Sequence, residues 1–310
     1  MNLLKVMISV SFLFSIIRVT TPILYGAMCS LVSELCGVSN IGIEGIMLTS
    51  ALTAVLFSAY FGGNAWIGLL AAVIIGVLIS LLLGYIVMHL KANPIITGIA
   101  INLTASGATI FFLYLACGEK GISSSLASGV LPNMTIPILK DIPFIGQILS
   151  GHNILTYIGI IAIPLLSFFL YKTRLGLHIR SAGENPAAVA SVGVNVIRTR
   201  YIALVIGGIF AALGGAFMSM GYVSYFVSDM IAGRGFIAIA ASALGKNRPV
   251  ATLIACLLFG AADAFAINPA TQNIGVPTEI VASIPYIITI VALVMYSSRK
   301  VKSKTLLKEN

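Results

Sequence analysis

Four polar residues lie within or at the ends of long apolar segments, where their side chains could bind a solute: Asn40, Glu44, Asn102 and Asp263. A lipid-facing Asp at the membrane centre costs on the order of 3 kcal/mol, so these groups should face water or the interior of a helix bundle. Amide and carboxylate groups can hydrogen-bond a neutral, hydroxyl-rich solute while aromatic side chains cover its rings. The alternative is interhelical hydrogen bonding that only orients the helices.

Glycines flank two of these residues and one charged residue. In "SNIGIEG" (39–45) they permit close backbone approach and a helix that breaks within the membrane. In "GRGF" (233–236), Arg234 can pair with Asp229 outside the membrane or extend to lipid headgroups. We expect a structural role for Arg234.

The sequence lacks the motifs of common enzyme mechanisms. It contains no G-x-x-x-x-G-K-[ST] phosphate loop, no G-x-S-x-G and no H-E-x-x-H. The cysteines are scattered without a Cys-x-x-Cys, which favours buried, inert thiols over a disulfide framework or a metal site. They are Cys29, Cys36, Cys117 and Cys256. We expect no catalytic residue, cofactor or metal, and any ATP must be hydrolysed by a partner.

The stretch "GENPAAVASVG" (183–193) predicts a short, capped helix. Asn185 can accept a hydrogen bond from the first turn, Pro186 suits the first helical position, and Gly193 can adopt the left-handed conformation that ends the helix. Glu184 adds negative charge beside the positive end of the helix dipole. The side chains between the caps are small and apolar, so the helix suits a groove on a partner protein. The alternative is an interfacial helix on the lipid headgroups.

Composition identifies the membrane class. Apolar residues make up 59 % of the 310 residues, charged residues only 9 %, and the mean hydropathy is +1.06. These values predict an all-α, polytopic transmembrane bundle in one domain, 1–310, rather than a soluble protein. Ten apolar segments are candidates for spans: 4–17, 21–35, 42–60, 66–88, 94–116, 154–172, 201–222, 230–245, 250–267 and 279–297. Segments 4–17 and 230–245 are short for a hydrocarbon core of about 30 Å, so either could be interfacial or only half-crossing, and we expect eight to ten spans.

Charge distribution predicts the orientation of the spans. The net charge of +9 is a topology signal here and does not indicate nucleic acid. If the N-terminus is cytoplasmic and all ten segments cross, 14 of the 18 Lys and Arg lie inside. Only Arg18, Lys120, Lys140 and Arg234 lie outside. This asymmetry predicts a multi-pass protein of the bacterial cytoplasmic membrane with both termini in the cytoplasm.

Two long loops and a duplicated pattern complete the organisation. The loop 117–153, predicted outside, contains three prolines and indicates a constrained lid or docking face rather than a long helix. The loop 173–200, predicted inside, carries the short helix. The Gly-rich entries of 37–55 and 232–245 resemble one another and would run in opposite directions, as in inverted-repeat transporters. Gly and Ala periodicity in unrelated membrane helices could produce the same likeness.

Specific stretches resemble one family of transporters. "RLGLHIRSAGENPAAVASVGVNVIRTRYIALVIGGIFAALGGAFMS" (174–219) is similar to the coupling-loop region of ABC importer permeases for simple sugars, nucleosides and branched-chain amino acids. Three further stretches resemble the nucleoside and simple-sugar branch: "TPILYGAMCSLVSELCGVSNIGIEGIMLTSA" (21–51), "PILKDIPFIGQILSG" (137–151) and "AGRGFIAIAASALGKNRP" (232–249). The similarity covers nearly the whole chain from residue 20 onward.

The resemblance implies a fold of about ten helices that pairs with a second permease subunit, as a heterodimer. A separate ABC ATP-binding subunit would hold the short helix in a cleft, and an extracytoplasmic solute-binding lipoprotein would deliver the solute. Nucleosides are the expected cargo, with simple sugars such as ribose or galactose as the alternative and an ion-coupled secondary transporter as the rival mechanism. The residues expected to couple transport to the ATPase are Gly183, Glu184, Asn185, Pro186, Ala187, Ala190 and Gly193.

Overall fold

Helices dominate residues 9–136 and 145–267, the part of the chain that the computed structural model describes. Seven helices there are long and apolar enough to cross a membrane, which confirms the predicted all-α polytopic bundle. A π-helical turn, Met218–Tyr222, extends the ninth helix. In chain order the helices are α1 (Val10–Leu35), α2 (Ile43–Tyr60), α3 (Ala65–Met88), α4 (Pro94–Cys117), α5 (Ile145–Leu149), α6 (Ile154–Lys172), α7 (Arg174–Glu184), α8 (Pro186–Ser191), α9 (Val196–Phe217), α10 (Arg234–Leu244) and α11 (Pro249–Ile267).

The core forms where α1, α2 and α9 pack together. Tyr25 of α1, Met47 of α2 and Phe217 of α9 are all buried within it. The Tyr25 hydroxyl donates to the Leu155 carbonyl at 2.7 Å, which fixes the start of α6 against this core. The other long helices lie around it, and α4 is the least buried of the seven. Most of the α4 surface is therefore open in the single chain.

The N-terminal segments form one helix, so the prediction of separate spans 4–17 and 21–35 is wrong for the described residues. The α1 helix runs through Arg18 and Pro22 without a break. Arg18 donates to the Tyr222 carbonyl and lies over the Tyr222 ring, 4.5 Å from its centroid. These contacts stabilise the charge of Arg18, which in the sequence had indicated a loop between two spans.

The α1 helix runs the full length of the bundle. Near its start, Phe14 stacks on His152 with ring centroids 4.0 Å apart, just before α6. At its far end, the Cys36 carbonyl accepts from Arg200 Nε at 3.1 Å, near the start of α9. Residue 9 and the loop 173–200 therefore lie at opposite ends of the bundle. The predicted cytoplasmic position of the N-terminus lies outside the described residues.

The eighth predicted segment, 230–245, does not cross the membrane. Its helix, α10, has 11 residues, which is about 16 Å and roughly half of a hydrocarbon core. The next segment is confirmed as a spanning helix by α11. The last predicted segment, 279–297, lies outside the described residues. Ten predicted spans thus become seven within the described ranges.

The two long loops have different structures. The described part of 117–153 is irregular apart from the five-residue α5, as its prolines predict. It packs across the end of the bundle where Ser123 exchanges hydrogen bonds with the Phe226 backbone. The loop 173–200 holds two helices, α7 and α8, where only the second was predicted. We call residues 174–191 the hairpin, and name the two ends of the bundle the loop end and the hairpin end.

Candidate functional site

The predicted short helix is present in the hairpin, with the predicted caps. Asn185 Oδ1 accepts from Ala188 N at 3.1 Å, and Pro186 occupies the first turn. Beyond the helix, Gly193 has φ of +78° and its N–H donates to the Ala190 carbonyl at 3.0 Å. These local bonds satisfy helix-end groups without help from distant residues. Sequence reasoning therefore located α8 to within two residues.

The hairpin presents an apolar surface to its surroundings. Pro186, Ala187 and Ala190 are exposed, and Val192 is 76 % exposed. Val189 is the one buried side chain of α8. A groove of about 400 Å³ runs between α7 and α8. Small exposed apolar side chains beside a groove form a surface that favours a protein partner.

Close backbone contact joins the hairpin to α1. A Cβ atom on Gly183 would lie 2.3 Å from the Leu35 carbonyl oxygen and 2.9 Å from Gly37 N. Arg200 Nε donates to the Cys36 carbonyl at 3.1 Å, and its Nη2 donates to the Ala182 carbonyl at 3.5 Å. We call this contact among Gly183, Gly37 and Arg200 the clasp. Sequence analysis included Gly183 among the coupling residues, but it did not predict the residues that Gly183 contacts.

The segment after the clasp leads to the place where the starts of α2 and α10 meet, which we call the junction. Glu44, in the first turn of α2, accepts from Gly233 N and Gly235 N, each at 2.7 Å, one bond to each carboxylate oxygen. A Cβ atom on Gly235 would lie 2.6 Å from the nearer oxygen, so glycine is required there. The carboxylate thereby satisfies exposed N–H groups at the start of α10, which is favourable for a negative charge.

Two amides stabilise the other side of the junction. Asn102 Oδ1 accepts from Gly45 N at 2.8 Å, and its Nδ2 donates to the Ile41 carbonyl at 3.0 Å. Asn40 Oδ1 accepts from Gly42 N at 3.0 Å. These bonds satisfy the backbone where the chain enters α2. The structure thus brings three of the four candidate pathway residues together around one break in the helices.

The fourth candidate pathway residue has a different role. Asp263 of α11 forms an ion pair with Arg234, with Oδ2 and Nη2 3.1 Å apart. Arg234 therefore has the expected structural role, but its partner is Asp263 and not Asp229, which was one of the alternatives. Asp229 instead accepts from Ser106 Oγ of α4 at 2.8 Å. Sequence analysis missed this second pair, because the two residues are 123 positions apart.

The helices that start at the junction run toward opposite ends of the bundle. Near the end of α2, Ser58 Oγ accepts from Gly129 N at 2.8 Å, at the loop end. Near the end of α10, Ala243 lines a recess together with Glu34 of α1, at the hairpin end. The opposite directions agree with the inverted arrangement that the Gly-rich entries predict. Duplication of the sequence itself stays a prediction.

Among the described residues, the cysteines and the potential metal ligands form no second site. All four cysteines are free thiols, and Cys29, Cys36 and Cys256 are buried. Within 9–136 and 145–267, no three His, Cys, Asp or Glu side chains converge to hold a metal ion.

The fold, the exposed hairpin and the broken helices are features of a membrane permease, and the sequence comparison identifies its family. Residues 12–293 match the family described as "Branched-chain amino acid transport system / permease component". The chain belongs to this family. It is thus a multi-pass membrane permease component, as the seven apolar helices also indicate.

Relatives whose names give a solute are similar along most of their length. The guanosine ABC transporter permease of Bacillus subtilis is 38 % identical over 90 % of this chain and 89 % of the relative. The nucleoside ABC transporter permease of Lactococcus lactis is 30 % identical, covering 98 % and 96 %. A provisionally named glucose ABC transporter permease of Haloferax volcanii is 31 % identical, covering 89 % and 88 %.

A solved structure shares the fold. It is an ABC transporter provisionally assigned to the metal-chelate type, in an inward-facing conformation, with a TM-score of 0.53 and 13 % identity. The match covers 90 % of this chain and 85 % of that chain. At this identity the likeness concerns the fold alone.

Proposed function

We propose that this chain is a membrane subunit of an ATP-driven nucleoside importer in the bacterial cytoplasmic membrane. The observation that carries the proposal is the exposed, apolar α8, held against α1 by the clasp. Similarity to guanosine and nucleoside permeases supports nucleosides as the cargo. The glucose permease relative keeps simple sugars as the alternative.

The proposed orientation places the hairpin in the cytoplasm. Lys172, Arg174, Arg180, Arg198 and Arg200 cluster in or near it, as the positive-inside rule expects for a cytoplasmic loop. The start of α1 and the loop end then face the exterior. This orientation keeps the predicted cytoplasmic hairpin and the predicted outside position of Arg18.

The proposed partners follow from surfaces that the single chain leaves open. An ATP-binding subunit covers α8 and hydrolyses the ATP, while a second permease subunit covers part of the open α4 surface. Similarity to ABC transporter permeases supports both partners. A solute-binding lipoprotein docks at the loop end, and lipid covers the remaining apolar helix faces.

The proposed mechanism is a rigid-body movement transmitted through the clasp. Closure of the ATP-binding subunits displaces α8, and α7 moves with it because a capped hairpin does not deform easily. Since Gly183 touches the backbone of Gly37, the displacement reaches the segment that enters α2. The Glu44 bonds then carry it to the start of α10. The break in the helices is where the pathway changes its open side.

Cross-linking tests the proposed coupling contact. Ala187→Cys and Ala190→Cys variants should each form a disulfide with a cysteine introduced into the cleft of the ATP-binding subunit, in the assembled transporter. Gly121→Cys is the control, because Gly121 lies in open space in the loop 117–153. Cross-links from Gly121→Cys, or none from the α8 variants, would contradict the proposal.

Uptake measurements separate the proposed importer from its alternatives. Vesicles reconstituted with both permease subunits and the solute-binding lipoprotein should accumulate labelled guanosine or uridine only with ATP and the ATP-binding subunit. An ion-coupled carrier would instead accumulate solute without that subunit while a proton gradient is present. Uptake of ribose or glucose in preference to nucleosides would show that simple sugars are the cargo.

A further inference from the structure

An exposed polar pair lies half-way along an apolar helix. Ser106 is near the middle of the 24-residue α4, about 18 Å from its start. Its hydroxyl donates to Asp229 Oδ1 at 2.8 Å, and Asp229 is exposed. An ionisable group at this depth is too costly to face lipid. The pair must therefore face a partner or a water-filled route.

The chain after Asp229 has an open side that leads toward the hairpin end. After Asp229 the chain enters α10, where Phe236, Ile239 and Ala243 are spaced by three and four residues and so share one side of the helix. Phe236 is 48 % exposed. Ile239 and Ala243 line a recess of about 350 Å³ together with Ser30, Glu34, Lys246 and Asn247.

The order of side chains along this face fits passage of an amphipathic solute. A polar pair comes first, an exposed aromatic ring follows, and a recess with both charges comes last. Lipid would select apolar side chains at mid-depth, where this face instead carries the Ser106–Asp229 pair. The inner side of α10 is already occupied, since Gly235 packs against Glu44 and Ala238 lies near Gly26. The open side is thus free to line a route.

We propose that Ser106 and Asp229 form a solute-binding point that recognises the cis-diol of a ribonucleoside. This inference deepens the proposed function and rests on it. Asp229 accepts from Ser106 through Oδ1, so its other oxygen and the remaining lone pairs can accept hydrogen bonds from two neighbouring sugar hydroxyls. The Ser106 oxygen can accept a further bond. Phe236 lies on the same open face and covers the base.

Transport kinetics test the recognition of the diol. Asp229→Asn keeps an oxygen that accepts from Ser106, so the fold is retained, but it removes the charge that strengthens bonds to the diol. The expected result is a rise of about tenfold in the KM for uridine or guanosine. The KM for a 2′,3′-dideoxynucleoside should not change, because that solute has no diol to bind. Equal effects on both solutes, or none, would overturn the inference.

Chemical labelling tests whether the face lines a route. In the complete transporter, a Phe236→Cys variant should react with a charged, membrane-impermeant thiol reagent, and uridine should slow the reaction. Leu78→Cys on α3 is the control, since Leu78 is 54 % exposed in the single chain but has an apolar setting. It should not react. If Phe236→Cys does not react, the second subunit covers this face and the inference is wrong.

The two proposals fail in different ways. If the assembled wild-type transporter accumulates nucleosides with ATP but Asp229→Asn has wild-type kinetics, only the inference about the diol falls. If the wild-type transporter accumulates no nucleoside, the proposed function falls with it.

Discussion

Glu44 shows how one side chain can hold a membrane helix in two pieces. A helix that starts inside the bilayer leaves its first N–H groups without water, and each unsatisfied group is costly. Both oxygens of Glu44 accept such bonds, from Gly233 and Gly235. This residue was a candidate for solute binding or for orienting helices. The structure shows the orienting role, and solute contact stays a proposal.

Replacement of Glu44 should loosen the junction. Glu44→Gln keeps one acceptor oxygen but loses the charge and the second acceptor, so a buried N–H loses its partner. We expect a loss of about 1–3 kcal/mol in the free energy of unfolding. The midpoint of thermal unfolding of the purified transporter measures it. Glu34→Gln, at the recess and away from the junction, is the control and should have a much smaller effect.

Gly193 lies just after the hairpin and adopts the left-handed conformation that follows the end of α8. Gly193→Val places a β-branched residue at a φ of +78°, which strains the backbone although the surrounding space is open. We expect ATP hydrolysis to continue while uptake falls, because α8 loses its fixed position. The ratio of transported solute to hydrolysed ATP measures the uncoupling.

Gly118→Val is a matched control for this change. Gly118 has a φ of +73° and nothing within 4 Å of an added Cβ, but it ends α4 at the loop end. It should cost similar stability without uncoupling. A normal ratio of uptake to hydrolysis in Gly193→Val would contradict the assigned role of the hairpin.

At the level of elements, the clasp is the connection between the hairpin and the membrane helices. The α7 and α8 helices are held together by local caps, so they can move as one body. Their backbone meets α1 at Gly183 and Gly37, and Arg200 of α9 bonds to both sides of this contact. The end of α1 thus shares one point with the hairpin and the start of α9, and displacement of any one must move the others.

Enlarging Gly183 should separate binding of the ATPase from transport. Gly183→Val forces a side chain against the Leu35 carbonyl, where a Cβ atom would lie 2.3 Å away. We expect α8 to retain its cross-link to the ATP-binding subunit while uptake is lost. Gly121→Val, in open space at the other end, is the control. Loss of the cross-link together with uptake would show that the change unfolds the hairpin instead.

At the scale of the whole molecule, the direction of α1 decides the topology. One continuous helix connects the loop end to the hairpin end, so the bundle has one crossing where two were predicted. The α10 helix adds only half a crossing. With seven spanning helices described, the two ends of the bundle differ clearly, with the basic residues of the hairpin at one and Arg18 at the other.

Labelling from each side of the membrane checks this topology. A cysteine replacing Ser11, which is exposed near the start of α1, should react with an impermeant reagent added outside intact cells. Ala190→Cys should react only after the membrane is opened. Reaction of both from the same side would contradict a single crossing by α1.

The sequence alone determined the features that depend on neighbouring residues. Hydropathy fixed the membrane class and most spans, because burial in lipid is decided over about 20 consecutive residues. Asn185, Pro186 and Gly193 fixed the position of α8, because helix caps are bonds within a few residues.

Only the tertiary structure decided which polar groups meet. In the sequence, Arg18 indicated a break in the first helix. In the structure, Arg18 donates a hydrogen bond to the carbonyl of Tyr222, 204 positions away, and the helix continues. Ser106 with Asp229, Arg234 with Asp263, and Gly183 with Gly37 are likewise partners across long stretches of chain. In an apolar bundle a polar group bonds to whichever partner the packing brings within reach, and packing depends on all the helices together.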